Sequence, residues 1–191
     1  MDKNSRSSLY IMNTALELGI FAGAVALFII GKVPMAKILN NVKPEWFQVS
    51  AGAGAGIVFG ILCGMLVTKV NFFSPVKGLI GELVTKYSLK SYDLVFISLT
   101  AAICEELLFR GALQRAWGIW PTSVLFILLH GYFSLRDYKV MAYGVVMLAL
   151  SGAIGYSYQY LGLYAAISFH FIFDLVVLIV VKNSTAKEPA A

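Results

Sequence analysis

The chain has 191 residues, is 59% hydrophobic and only 13% charged, and its mean hydropathy is +0.79. A soluble domain is about one quarter charged, so this composition describes a polytopic membrane protein with nothing left over for a separate soluble domain. The net charge of +5 sits in short loops, where lysine and arginine set topology, and so points to no nucleic-acid partner; the two cysteines, Cys63 and Cys104, fall in predicted spans and offer no disulfide framework.

Lys3 and Arg6 precede an apolar run from Tyr10 to about Ile30. That run is too long for the core of a secretory signal and no small-residue cleavage site follows it, so it reads as a first membrane span. About six spans of roughly 20 apolar residues fit an all-α chain. They lie at Tyr10–Gly31, Ser50–Val70, Tyr92–Phe109, Thr122–Leu135, Val140–Gln159 and Leu163–Val181. Span two carries Gly52, Gly56, Gly60 and Gly64 on one helical face, a spacing that lets two helix backbones pack closely. Between spans two and three, Phe72–Lys90 holds Pro75 and the apolar set Leu79, Ile80, Leu83 and Val84, with Lys77, Lys86 and Lys90 around it. This pattern predicts an amphipathic helix at the membrane interface. Residues 1–181 make one membrane-embedded domain, and the polar stretch Lys182–Ala191 is expected to be a disordered tail. With the N-terminus inside, the outer loops hold Lys32, Lys37, Lys43, Arg110 and Arg115, and the inner ones hold ten of the fifteen lysines and arginines. That excess places both termini in the cytoplasm.

The C-terminal half places six ionisable groups at bilayer depth: Glu105, Glu106, Arg110, His130, His170 and Asp174. Each costs about 2.5–3.5 kcal/mol on insertion scales, so such groups face a protein interior and mark function. Glu106 and Arg110 are four residues apart and meet on one helical face, where they can form a buried ion pair. Glu105 is rotated by about 100° and is left free for chemistry. The plainer alternative puts all three charges at a helix end among lipid headgroups. His170 and Asp174 are again four apart and can converge, and His130 follows Phe126 by one turn. A single histidine in an apolar helix is more often a packed residue than a ligand; two of them with carboxylates alongside shift that balance. Counted from one membrane face, Glu105, His130 and His170 lie at about 8, 13 and 10 Å, so a shared pocket is geometrically reasonable.

Such a pocket suits water activation: a carboxylate in a low-dielectric site is a better general base near neutral pH, and an imidazole beside it can share the water. His170 and Asp174 would then face the oxyanion. The alternative is a metal, for which Glu105, His130, His170 and Asp174 could together hold zinc. There is no His-Glu-x-x-His spacing, so a zincin site is not indicated, and no cofactor is otherwise expected.

Glu105-Glu106-Leu107-Leu108-Phe109-Arg110-Gly111, then Phe126-x-x-x-His130, then His170-x-x-x-Asp174 resemble the three ordered motifs of the CPBP family. This group comprises CAAX prenyl endopeptidases and bacteriocin-processing enzymes and is also called the Abi family. The resemblance covers Tyr92 to Val181 and leaves the first two spans aside. It implies an intramembrane endopeptidase of glutamate type in the cell membrane of a prokaryote, acting on a membrane-anchored or lipidated peptide. Carried over by position, Glu105 is the water-activating base and His130 its partner, Glu106 and Arg110 support the site, and His170 with Asp174 forms the oxyanion side. The chain departs from the pattern at Asp174, where the prenyl endopeptidases carry asparagine. An ionised aspartate cannot donate to an oxyanion, so Asp174 must be protonated, orient His170 or bind a cation. The prenyl endopeptidases also open their site to the cytoplasm, whereas the charge count puts the polar end of this site outside.

Two other classes remain open at this stage. One is a non-catalytic membrane scaffold or regulator of the same fold, which would need none of Glu105, His130 or His170. The other is an ion or proton transporter, for which inverted repeats and broken helices are the expected signs. Cys104, beside Glu105, raises a thiol-protease option. The partners expected are the bilayer and a membrane-anchored peptide or protein; nothing in the sequence sets an oligomeric state.

Overall fold

The computed structural model describes residues 3–40, 42–133 and 137–186, and among these the regular structure is entirely helical. In chain order the helices are α1 (Lys3–Ile30), α2 (Met35–Leu39), α3 (Glu45–Lys69), a short 3-10 turn (Asn71–Phe73), α4 (Ser74–Lys86) and α5 (Ser91–Glu106). A π-helical segment (Leu107–Leu113) follows, then α6 (Gln114–Trp117), α7 (Ile119–Leu129), α8 (Tyr138–Tyr160) and α9 (Leu163–Thr185). Four stretches are long and apolar enough to cross a membrane: Arg6–Ile30, Glu45–Lys69, Tyr138–Tyr160 and Leu163–Thr185. The third predicted span is α5, whose helical path continues unbroken through the π segment and α6 to Trp117. The fourth is α7, which starts at Ile119 and stops at Leu129, earlier than the predicted Leu135, a position outside the described residues. Gly118 and Gly131 bracket it with φ of +83° and +73°, a left-handed backbone that glycine adopts without strain. Eleven residues cover about 16 Å, roughly half the hydrocarbon thickness.

The glycine seam of α3 is occupied by α9. A methyl group built on Gly56 would lie 2.7 Å from the Phe169 carbonyl oxygen, and one on Gly60 would lie 2.8 Å from Val176 Cβ. The same stripe brings Gly52 against Ala165 and Ser168, and Gly64 against Val180. With one side of α9 held this closely, its other side carries His170 and Asp174 toward α5.

α1 runs parallel to α5, joined to it by polar side chains. Arg6 and Tyr10 both donate to the Asp93 carboxylate, which also accepts from the Lys90 backbone N–H at 2.6 Å. Two turns further along, Asn13 Nδ2 donates to Thr100 Oγ1 at 3.0 Å. The amphipathic segment forms α4, with Val76 and Val84 buried and Leu79 turned outward. Helix α9 runs to Thr185, into the stretch expected from the sequence to be tail. Lys182 Nζ donates to the Leu89 carbonyl at 2.6 Å, which ties the last turn of α9 to the α4–α5 loop and carries helix to Thr185. Residues 187–191 of that tail lie outside the described residues.

Candidate active site

Where α5 gives way to the π segment, the wider turn shifts the phase of everything downstream by about one residue. Glu106 is the last residue of α5 and Arg110 lies within the widened turn, both fully buried. Glu106 Oε2 accepts from Arg110 Nε at 2.9 Å, the ion pair expected from their spacing. Arg110 then donates through Nη2 to Ser151 Oγ of α8 at 2.8 Å and through Nη1 to Gln114 Oε1 at 3.4 Å. Gln114 in turn donates to the Gly155 carbonyl at 2.9 Å. A buried charge pair is tolerable only when its remaining lone pairs and protons are satisfied, and this network does so across four elements, α5, the π segment, α6 and α8.

The second oxygen of Glu106 binds the site. His170 Nδ1 lies 2.8 Å from Glu106 Oε1, so the ring N–H donates to the carboxylate and the imidazole is fixed in orientation. That leaves His170 Nε2 facing the interior, 3.3 Å from Asp174 Oδ2 and 3.9 Å from Glu105 Oε2. His130 comes from the opposite side, its Nε2 3.6 Å from the same Glu105 oxygen. The other nitrogen of His130, Nδ1, lies 2.8 Å from the Phe126 carbonyl oxygen one turn back. The His130 ring is stacked between Phe126, with centroids 4.1 Å apart, and Tyr132, at 6.0 Å. Phe126 also meets His170 edge-on at 6.0 Å. The six groups singled out in the sequence therefore come together, in two tiers. Glu106 and Arg110 form the buried support, while Glu105, His130, His170 and Asp174 line a cavity of about 320 Å³.

Glu105 stands apart within this set. Its Oε2 is buried and has no hydrogen-bond partner in the protein, although two imidazole nitrogens face it. Asp174 is one turn from His170, with its Oδ2 3.3 Å from the ring Nε2. Among the described residues, no three His, Cys, Asp or Glu side chains are grouped as a metal ion requires. Cys104 is half-buried and is not among the residues lining the cavity.

Two features of the cavity were not foreseen. It extends toward α4, where Ile80 and Leu83 form its wall, and along the first half of α1, where Asn13 and Glu17 do. This is the end of the bundle at which α1 and α5 begin, opposite to the face from which the residue depths were counted. Ser151 and Gln114 support Arg110, and Tyr132 covers His130, without any mark in the sequence. Glu17 did carry a mark, being an ionisable residue at mid-span of an apolar helix.

An all-helical bundle with membrane-spanning segments and a polar site enclosed at bilayer depth is an integral membrane protein built around interior chemistry. Its residues 88–176, from just before α5 to past Asp174, match the family model "Type II CAAX prenyl endopeptidase Rce1-like". Over 141 residues the chain is 30% identical to "Uncharacterized protein YpbD" of Bacillus subtilis (strain 168), an alignment covering 72% of this chain and 69% of that protein. The chain belongs to the Rce1-like CAAX protease family, a family of membrane-embedded peptidases. No solved structure matches it.

Proposed function

We propose that this protein is a glutamate-type intramembrane endopeptidase that hydrolyses a peptide bond in a membrane-anchored or lipidated peptide. The observation that carries this reading is the position of Glu105: a buried carboxylate oxygen, free of protein donors, between the Nε2 atoms of His130 and His170 at 3.6 and 3.9 Å. Contacts of that length between polar atoms leave space for a shared water.

In this mechanism Glu105 takes a proton from a water held against His130 as the water oxygen attacks the scissile carbonyl carbon. His170, protonated on both ring nitrogens between Glu106 and Asp174, donates Nδ1–H to Glu106 and Nε2–H to the oxyanion, while Asp174 keeps Nε2 turned into the cavity. The proton on Glu105 then passes to the leaving amine as the C–N bond breaks, which restores the carboxylate. Arg110 stays out of the reaction and neutralises Glu106. Apolar walls at Met147 and Leu150 exclude bulk water and suit a membrane-resident substrate.

The test is comparative peptidomics of membranes holding either the parent protein or Glu105→Gln. Products present only with the parent identify the substrate; identical peptide profiles overturn the proposal.

A further inference from the structure

Among the described residues, the cavity is lined by three carboxylates, Glu17, Glu105 and Asp174, and by neither lysine nor arginine. Two of the three have an imidazole beside them, His130 for Glu105 and His170 for Asp174. Glu17 has none. It is 5% exposed and its Oε2 is buried without any hydrogen-bond partner. A carboxylate buried in a membrane helix with no compensating donor is costly unless something else supplies one.

The parallel register of α1 and α5 fixes where that donor must come from. Arg6 pairs with Asp93, and Asn13 with Thr100, the same offset along both helices. Glu17 is four residues beyond Asn13 and Glu105 five beyond Thr100, so the two carboxylates stand level within about 1.5 Å of helix rise. Asn13 spends its amide N–H on Thr100, which leaves its carbonyl oxygen as an acceptor on the same face of α1. α1 therefore presents an amide oxygen and a carboxyl group beside the base assigned to bond cleavage.

Resting on the proposed peptidase reading, we infer that Glu17 is a specificity-determining residue that binds a basic side chain, lysine or arginine, adjacent to the scissile bond of the substrate. A long cationic side chain can cross the apolar part of the cavity with its methylene stem and still reach the carboxylate. A neutral residue of equal length would leave Glu17 without a donor.

Two measurements on the full-length protein in nanodiscs test this. In the first, the thermal shift given by n-hexylguanidinium is compared with that given by neutral n-hexylurea, which needs no catalysis. The parent should bind the cation about tenfold more tightly than the urea, the difference expected of a hydrogen bond strengthened by charge. Glu17→Gln, of nearly the same volume, should abolish that preference, and Glu17→Asp should retain part of it. In the second, membrane-anchored reporter peptides paired as lysine or norleucine next to the cleaved bond should show a lysine preference in kcat/KM that Glu17→Gln removes. Equal binding of cation and urea by the parent, or an unchanged preference in Glu17→Gln, overturns the inference. If no reporter is cleaved while the cation preference depends on Glu17, the peptidase reading fails and the cation site stands.

Discussion

Arg110 has no route to water. It is fully buried, and among the described residues its guanidinium hydrogen-bonds Glu106, Ser151 and Gln114, so removing the carboxylate leaves an uncompensated charge in a low-dielectric interior. Glu106→Ala should therefore destabilise the protein by about 3–5 kcal/mol, read as a lower midpoint of thermal unfolding in detergent. The neighbouring acid should behave in the opposite way. Glu105 accepts no hydrogen bond at its buried oxygen, so Glu105→Gln should leave stability nearly unchanged while abolishing hydrolysis. His130→Ala should also lose activity, with a modest stability cost from the lost stack on Phe126. A Glu106→Ala protein as stable as the parent would show that Arg110 finds another counter-charge. The difference between these adjacent glutamates was legible from helix geometry alone, because the four-residue spacing of Glu106 and Arg110 leaves Glu105 on another face. The extra duty of Glu106, holding Nδ1 of His170 from 64 positions away in sequence, was not. No local pattern encodes a contact between elements, and Ser151 and Gln114 were hidden for the same reason.

At the scale of elements, the rigid reference for the site is the α3–α9 pair. The glycine stripe announced a close approach, and the structure supplies α9 as the partner, with the Phe169 carbonyl next to Gly56. Phe169 immediately precedes His170, so pushing the backbone there moves a site residue. Gly56→Ala should cost about 1–3 kcal/mol through overpacking and reduce activity together with stability. Gly54, in the same helix, has nothing within 4 Å of a built methyl group, so Gly54→Ala should be neutral or stabilising, by up to about 1 kcal/mol, from helix propensity. Equal effects of the two substitutions on unfolding midpoint would refute the seam. The π segment, by contrast, left no trace in the sequence. Leu107, Leu108 and Phe109 are ordinary helix residues, and the widened turn arises where Glu106, Arg110 and Gln114 satisfy partners on α8 and α9. The short α7 was partly readable, since Gly118 and Gly131 flank it. Their left-handed φ angles, which set its ends, follow from the chain reversal and not from the apolar pattern.

Across the whole molecule, composition was enough to establish a helical membrane protein, and three spaced motifs were enough to indicate an interior site. The direction in which that site opens could not be read the same way, because loop charge reports where helix ends lie and says nothing about which side of a helix lines a cavity. Ile80 and Leu83 of α4 belong to the cavity wall, and α4 joins the end of α3 to the start of α5. Access should thus come from the side of the membrane that holds the N-terminus. With Cys63 and Cys104 replaced by alanine, a cysteine at Leu83 should react with a membrane-impermeant thiol reagent added to that side and not to the other, in sealed vesicles of known orientation. The same reagent should then inhibit hydrolysis, since an adduct at Leu83 occupies the passage to Glu105. Labelling from the far side alone would place the entrance between α7 and α8 instead. Chelation gives an independent constraint on what occupies that passage. Because, among the described residues, the interior carboxylates and imidazoles are not grouped around a common centre, purified protein treated with a strong chelator should retain its activity. Loss of activity, restored by added zinc, would mean that Glu105, His130, His170 and Asp174 close around a metal.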